Sequence, residues 1–245
     1  MNERVIIMTK KFVGSSGHGL KIRGAKHFID EVDEARKVTN EVHRILTSEY
    51  NGAGTVFHDN SSTTQNQNLQ TIVTYHNGQQ RDLDWSIHFN AASAIDGPRG
   101  VEVLYYDVKD LSARMSAAIA KASGLKDRGA KQRKELYFLK NTSKPAILIE
   151  VCFVDSKADV ELYYSNFNAV CAAIAEVLAA HLGYTKAQTE QAYDYAEAKV
   201  MLNDTKAISA RILEGRTYVQ VREIADLLGL KLVYNNESKI TKLYK

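Results

Sequence analysis

Cysteine is scarce in this chain. Cys152 and Cys171 are the two in 245 residues, both lie in apolar segments, and neither belongs to a CxxC pair or sits beside a histidine. A disulfide framework and a thiolate metal site are thereby excluded, and both residues read as buried thiols. Long apolar runs are missing too. Nothing approaches the roughly 18 apolar residues of a membrane-spanning helix, and residues 1–11 lack the apolar stretch of a secretory signal. No membrane insertion is expected, and the chain should be made in the cytoplasm. Strong charge of one sign is also absent: 32 Lys+Arg against 29 Asp+Glu leave a net +3. The positive residues are spread along the chain, which argues against nucleic acid as a partner. There is no HExxH to announce a zinc site on one helix.

What is present is ordinary globular composition, 44% hydrophobic and 25% charged, in a chain long enough for one sizeable α/β domain and a small extra module. The run at 144–153 (KPAILIEVCF) has the length and continuous apolarity of a strand buried on both faces. It carries Glu150, a carboxylate that is costly to desolvate there without a partner or a task. Further strands are read at 4–9, near 55–58, at 83–89, 101–106 and 136–139, and helices at 30–50, 69–77, 111–122 and 168–182. The polar run at 60–68 reads as a loop. This alternation predicts an α/β fold with a twisted, mixed but mostly parallel sheet flanked by helices.

Two histidines stand where such sheets bind ligands, at strand ends. His18 lies in the glycine-rich turn expected at 14–19, and His88 closes the strand LDWSIHF. Glu31 and Glu34 open the first long helix, where a carboxylate is favoured by the helix dipole in any case. Two imidazoles and one carboxylate are the inventory of a catalytic zinc with one position left for water, and Glu150 could then move protons beside it. Asn90, just past the second histidine, is a candidate substrate contact or a turn cap.

His18 in GHG, Glu31 in IDEVDEARKV, His88 in SIHFNA and Glu150 in ILIEV, together with GVEVLYY, RGAK and LYFLKNTSKPAILIE, resemble the zinc-dependent N-acetylmuramoyl-L-alanine amidases of the amidase-3 type, phage endolysins in particular. The resemblance implies hydrolysis of the amide between N-acetylmuramic acid and L-alanine in peptidoglycan. It implies zinc held by His18, Glu31 and His88, and Glu150 as general acid/base. Three departures accompany it. Ala35 replaces the usual Asn four residues after the ligand glutamate, leaving Glu34 as a second choice of ligand; GHGL stands for GHGG; and Phe57-His58-Asp59 stands where an arginine is usual.

Domain boundaries are expected at 1–183 for the catalytic part, 184–200 for a polar linker and 201–245 for a small module. That module has strands at 207–213, 230–234 and 239–244, a helix at 221–228 stopped by Gly229, and an Asn235-Asn236 turn. It resembles the short repeat of bacterial surface proteins named for the copper amine oxidase N-terminal domain, which implies cell-wall targeting, with pairing of two chains through this module as the other option. A non-catalytic wall binder and a zinc peptidase acting within the stem peptide are the competing functions. With no export signal in view, release to the wall through a pore is expected.

Overall fold

The segments that can bury side chains on both faces are the ones that make the sheet. In the computed structural model, which describes residues 9–187, 196–202, 206–235 and 240–244, six strands form it: β1 (Lys11–Gly19), β2 (Ala53–Asp59), β3 (Leu83–Asn90), β4 (Val101–Tyr105), β5 (Asp127–Gln132) and β6 (Ala146–Phe153). Their order is β2-β1-β3-β6-β4-β5. The first four run parallel, β4 runs antiparallel to β6, and β5 parallel to β4. The sheet is therefore mixed and mostly parallel, as the alternation of elements predicts. In β3 and β6 every residue is buried except His88, Asn90 and Glu150, so the breaks in an apolar pattern mark the polar site directly.

Helices cover both faces. On one side α1 (Glu31–Glu49), α3 (Lys109–Ser123) and α6 (Phe167–Leu182) share the larger core. The stripe Val38, Val42, Ile45 and Leu46 of α1 is buried there as its three- and four-residue spacing requires. On the other side α2 (Gln65–Asn77) and the short α4 (Tyr137–Asn141) place Ile72, Val73, Phe138 and Leu139 against Leu104, Ala146 and Leu148. Side chains alternate along a strand, so Glu150 continues the row of Ala146 and Leu148, and Glu102 that of Leu104.

Several sequence expectations need correction. The stretch 14–19 is not a turn but the body of β1; residues 4–8 of the expected first strand lie outside the described residues. Glycine is there for space: a Cβ on Gly14 would come 2.2 Å from Cζ2 of the fully buried Trp85. Residues 136–139 are not a strand; Tyr137–Asn141 is a helical turn whose Phe138 and Leu139 dock on the sheet face. Residues 65–68 belong to α2, because the Thr64 side chain caps the Gln67 N–H and starts the helix early. Glu150 stands inside β6, which runs on through Phe153. Strand β5 and helix α5 (Lys157–Ser165) had no prior signal: β5 is a polar edge strand, and α5 begins on Ser156, which accepts from the Asp159 N–H.

Residues 188–245 make a second compact unit. Its described part is an antiparallel sheet of β7 (Ala196–Leu202), β8 (Lys206–Leu213) and β9 (Arg216–Val219), then α7 (Val221–Leu228), then the hairpin of β10 (Lys231–Asn235) with β11 (Ile240–Tyr244). Residues 196–200, expected within a linker, are part of β7. The linker stretch 188–195 and Asn236 of the expected turn lie outside the described residues. Gly229 ends α7 in the left-handed conformation, as anticipated.

Candidate metal centre and active site

The site forms where parallel strands β1, β3 and β6 deliver their C-terminal halves. His18 is reached through an irregularity in β1, whose register against β2 shifts between Ser15 and Gly19, and it takes a left-handed backbone conformation at φ 55°. That conformation is uncommon outside glycine and costs free energy that neighbouring structure must offset. A break of this kind re-aims a side chain. His88 comes from β3 and is paired in register with Glu150 on β6.

Glu31 arrives from the opposite layer, as the first residue of α1. Asp30 caps that helix by accepting from the Val32 N–H and is itself gripped by Arg23 at 2.7 and 2.9 Å. The buried carboxylate of Glu31 is fully engaged. Oε1 accepts from His88 Nδ1 at 3.1 Å and from the Phe89 N–H at 3.2 Å; Oε2 accepts from the Ala25 N–H at 2.8 Å and lies 3.4 Å from His18 Nε2. Glycines clear the approach: a Cβ on Gly17 would come 2.0 Å from His88 Cε1, and one on Gly24 would come 2.4 Å from Glu31 Oε2.

His18, Glu31 and His88 each offer a ligand atom, and these atoms lie within 4.8 Å of one another. Their electrostatics fit a cation at that point. Burial would raise the Glu31 pKa, but the hydrogen bond to His88 and the two histidine charges hold it below its ordinary value. Burial would lower His88, and the Glu31 hydrogen bond and charge hold it above. His18 is pushed down, by burial first and then by His88, and its buried Nδ1 has no hydrogen-bond partner. Two imidazoles and a carboxylate sharing one small volume, one imidazole nitrogen unspent, suit a borderline divalent ion that binds such donors at about 2.0–2.2 Å.

Glu150 stands beside this group and is not part of it. Its Oε2 is buried without a hydrogen-bond partner. Burial pushes its pKa up to about 7, with His88 opposing and the carboxylates of Glu31 and Glu102 adding to the rise. A carboxyl group that takes up and releases a proton near neutrality is what general acid/base chemistry needs.

Glu34 does not approach the histidines. It accepts hydrogen bonds from Tyr163 Oη at 2.9 Å, Tyr164 Oη at 3.2 Å and Lys37 Nζ at 2.7 Å. Asn90 donates from Nδ2 to Glu102 Oε1 at 3.0 Å, while its Oδ1 accepts the Ala91 N–H at 2.8 Å. His58 is held between Ser16 Oγ at 2.8 Å and Asn40 Oδ1 at 2.9 Å, its pKa lowered to about 4 by burial and then by Arg36. Asp59 accepts the N–H groups of Ser61 and Ser62 and the Asn68 amide, which fixes the loop before α2.

Glu102 was not anticipated. It faces Glu150 across the β4–β6 pairing, is buried, and binds Arg128 Nε at 2.6 Å and Lys131 Nζ. The segments GVEVLYY and RGAK contain these residues without any spacing that would mark them. Only the register of three strands brings them together.

The sequence profile of the N-acetylmuramoyl-L-alanine amidase family matches residues 15–180. An uncharacterized protein of Clostridium perfringens is 33% identical over 163 residues, 62% of this chain; the chain spans about half of that relative, 46% of its length. The endolysin of Bacillus phage SPP1 is 32% identical over 192 residues, 73% of this chain and 68% of the endolysin. Among solved structures, the N-acetylmuramoyl-L-alanine amidase AmiC2 of Nostoc punctiforme is similar with a TM-score of 0.64 at 25% identity, over 72% of this chain and 98% of that one.

Proposed function

The chain belongs to the N-acetylmuramoyl-L-alanine amidase family, and from that premise we propose that it hydrolyses the amide between N-acetylmuramic acid and L-alanine in bacterial peptidoglycan. The observation that carries the reading is the unpartnered Glu150 carboxylate standing next to a three-donor group with a ligand atom from each of His18, Glu31 and His88. His18, Glu31 and His88 are the residues that would hold zinc. When bound, zinc supplies a Lewis acid that polarises the scissile carbonyl and acidifies a water.

The rest is the work of the protein. Glu31 fixes the ring of His88 through a hydrogen bond, and the N–H groups of Ala25 and Phe89 fix Glu31 in turn. Glu150 accepts the proton of the attacking water on its free oxygen and returns it to the departing amide nitrogen, a transfer its raised proton affinity favours. Asn90 acts through Glu102, which it helps to hold in place.

The likeness to the SPP1 endolysin supports a lytic role at the cell wall. No helix among the described residues is by itself long and apolar enough to cross a membrane. The module at 201–245, whose sequence resembles a repeat of bacterial surface proteins, is proposed to target the wall.

Defined muropeptides digested with and without a chelator, with products read by mass, test the reading. A new L-alanine amino terminus that disappears with the chelator is the expected result. A terminus elsewhere in the peptide means a stem-peptide hydrolase, and no cleavage by zinc-loaded protein means a binder.

A further inference from the structure

Glu102 is over-supplied with cations. Its side chain is 6% exposed and accepts from Asn90 Nδ2, Arg128 Nε and Lys131 Nζ. One cation neutralises one buried carboxylate; here there are two, and their side chains remain 31% and 36% exposed. Among the described residues Lys131 Nζ has no second acceptor, and Arg128 Nη1 has only a 3.5 Å contact with the Arg99 carbonyl. The guanidinium of Arg128 lies 5.0 Å from the Phe153 ring centroid, with Arg99 at 5.4 Å from the same ring. The aromatic ring therefore fixes Arg128 and leaves its outer edge to water. A held guanidinium with an open edge is a receptor for a carboxylate.

Its place in the sheet says which carboxylate. Strand β5 is two strands from β6, about 10 Å at roughly 4.8 Å per strand, and the side chains of Arg128 and Lys131 lean back over β4 to reach Glu102. A peptide covers about 3.3–3.6 Å per residue when extended. The cations thus lie within two to three residues' reach of a bond held beside Glu150. We infer that Arg128 and Lys131 form an anion subsite, receiving the free carboxylate of an acidic residue that follows the alanine. Substrates in which that carboxylate is amidated bind worse. The inference rests on the amidase reading and adds the recognition of the peptide beyond the scissile bond.

The full chain is tested with two dipeptides, L-alanyl-γ-D-glutamate and its α-amide, by calorimetric or NMR titration, and in parallel with muropeptides carrying either form. The acid should bind about 10-fold more tightly than the amide, a preference that shrinks as salt is raised. Lys131→Gln leaves Arg128 on Glu102, so the fold should persist in a melt while the preference falls to about 3-fold or less. Arg128→Lys, which keeps the charge but loses the fork, should reduce it as well. Equal affinity of the wild type for acid and amide overturns the subsite, and so does a preference unchanged in both variants. If the preference holds while neither muropeptide is cut, the subsite stands and the amidase reading falls.

Discussion

At the residue scale the site turns on one carboxylate with nothing to bind. Glu150 Oε2 has no partner, whereas Glu31 is saturated and Glu102 carries two cations and an amide. Glu150→Gln keeps the shape and removes the proton acceptor. It should retain zinc, read by atomic absorption, and lose on the order of 10²–10⁴-fold in kcat; His88→Ala should lose the metal as well. Turnover within tenfold of wild type in zinc-loaded Glu150→Gln would assign the proton transfer to another group. Burial also makes this residue a pH-dependent liability. Its proton affinity is raised from an ordinary 4.5 to about 7, so the protonated form contributes stability that is fully present below about pH 4.5 and lost as pH rises through about 7. The metal-free Glu150→Gln protein cannot ionise there. It should match metal-free wild type in denaturant melts at pH 4 and exceed it by about 3 kcal/mol at pH 8. The sequence offered Glu31, His88 and Glu150 as candidates because each interrupts an apolar pattern or opens a helix, and His18 because it stands in a glycine-rich stretch after a short apolar one. Arg128 and Lys131 were not legible, since they lie in a polar strand where charge is unremarkable and acquire meaning only through pairing with β4.

At the element scale, composition misled where space mattered more than propensity. β1 reads as a turn because of its glycines, yet Gly14 and Gly17 occur where Trp85 and His88 of β3 need the room a Cβ would take. α4 reads as a strand because four residues are too few to distinguish periods of 2 and 3.6. The long apolar strands β3 and β6 and the amphipathic α1 were legible, since their patterns extend over enough residues to be decided by burial alone. The two glycines separate fold from site. Gly14→Ala would set a methyl 2.2 Å from buried Trp85 and should destabilise by about 1–3 kcal/mol, leaving the zinc content of the folded fraction unchanged. Gly17→Ala would set one 2.0 Å from the His88 ring and should weaken zinc binding roughly 10–100-fold. Denaturant melts and zinc titrations of both variants check this; equal effects on metal binding would mean that Gly17 is merely part of the strand.

At the scale of the whole molecule, the sheet, both cores and every residue of the candidate site fall within residues 11–182. Tyr184 extends that body: its hydroxyl donates to the Lys10 carbonyl at 2.6 Å and lies 3.1 Å from the Ala53 carbonyl, and its ring packs edge-on against Phe12. A boundary drawn just before Tyr184 would cut these contacts, so the chain is best divided after Ala187, where the first compact unit ends. The second unit has little to hold it: Ala210 and Ala225 are its buried residues among those described, while Tyr218, Leu228 and Tyr234 are about half exposed. A chain ending at Ala187 should fold cooperatively, bind one zinc and cleave soluble muropeptides with kcat/KM within about twofold of the full chain, because no residue of the site is removed. On intact cell walls the proposed targeting role predicts that it is slower by roughly 10-fold or more. Equal rates on walls would deny the tail a targeting role, and loss of zinc or of the cooperative melt in the shortened chain would show that the second unit supports the first.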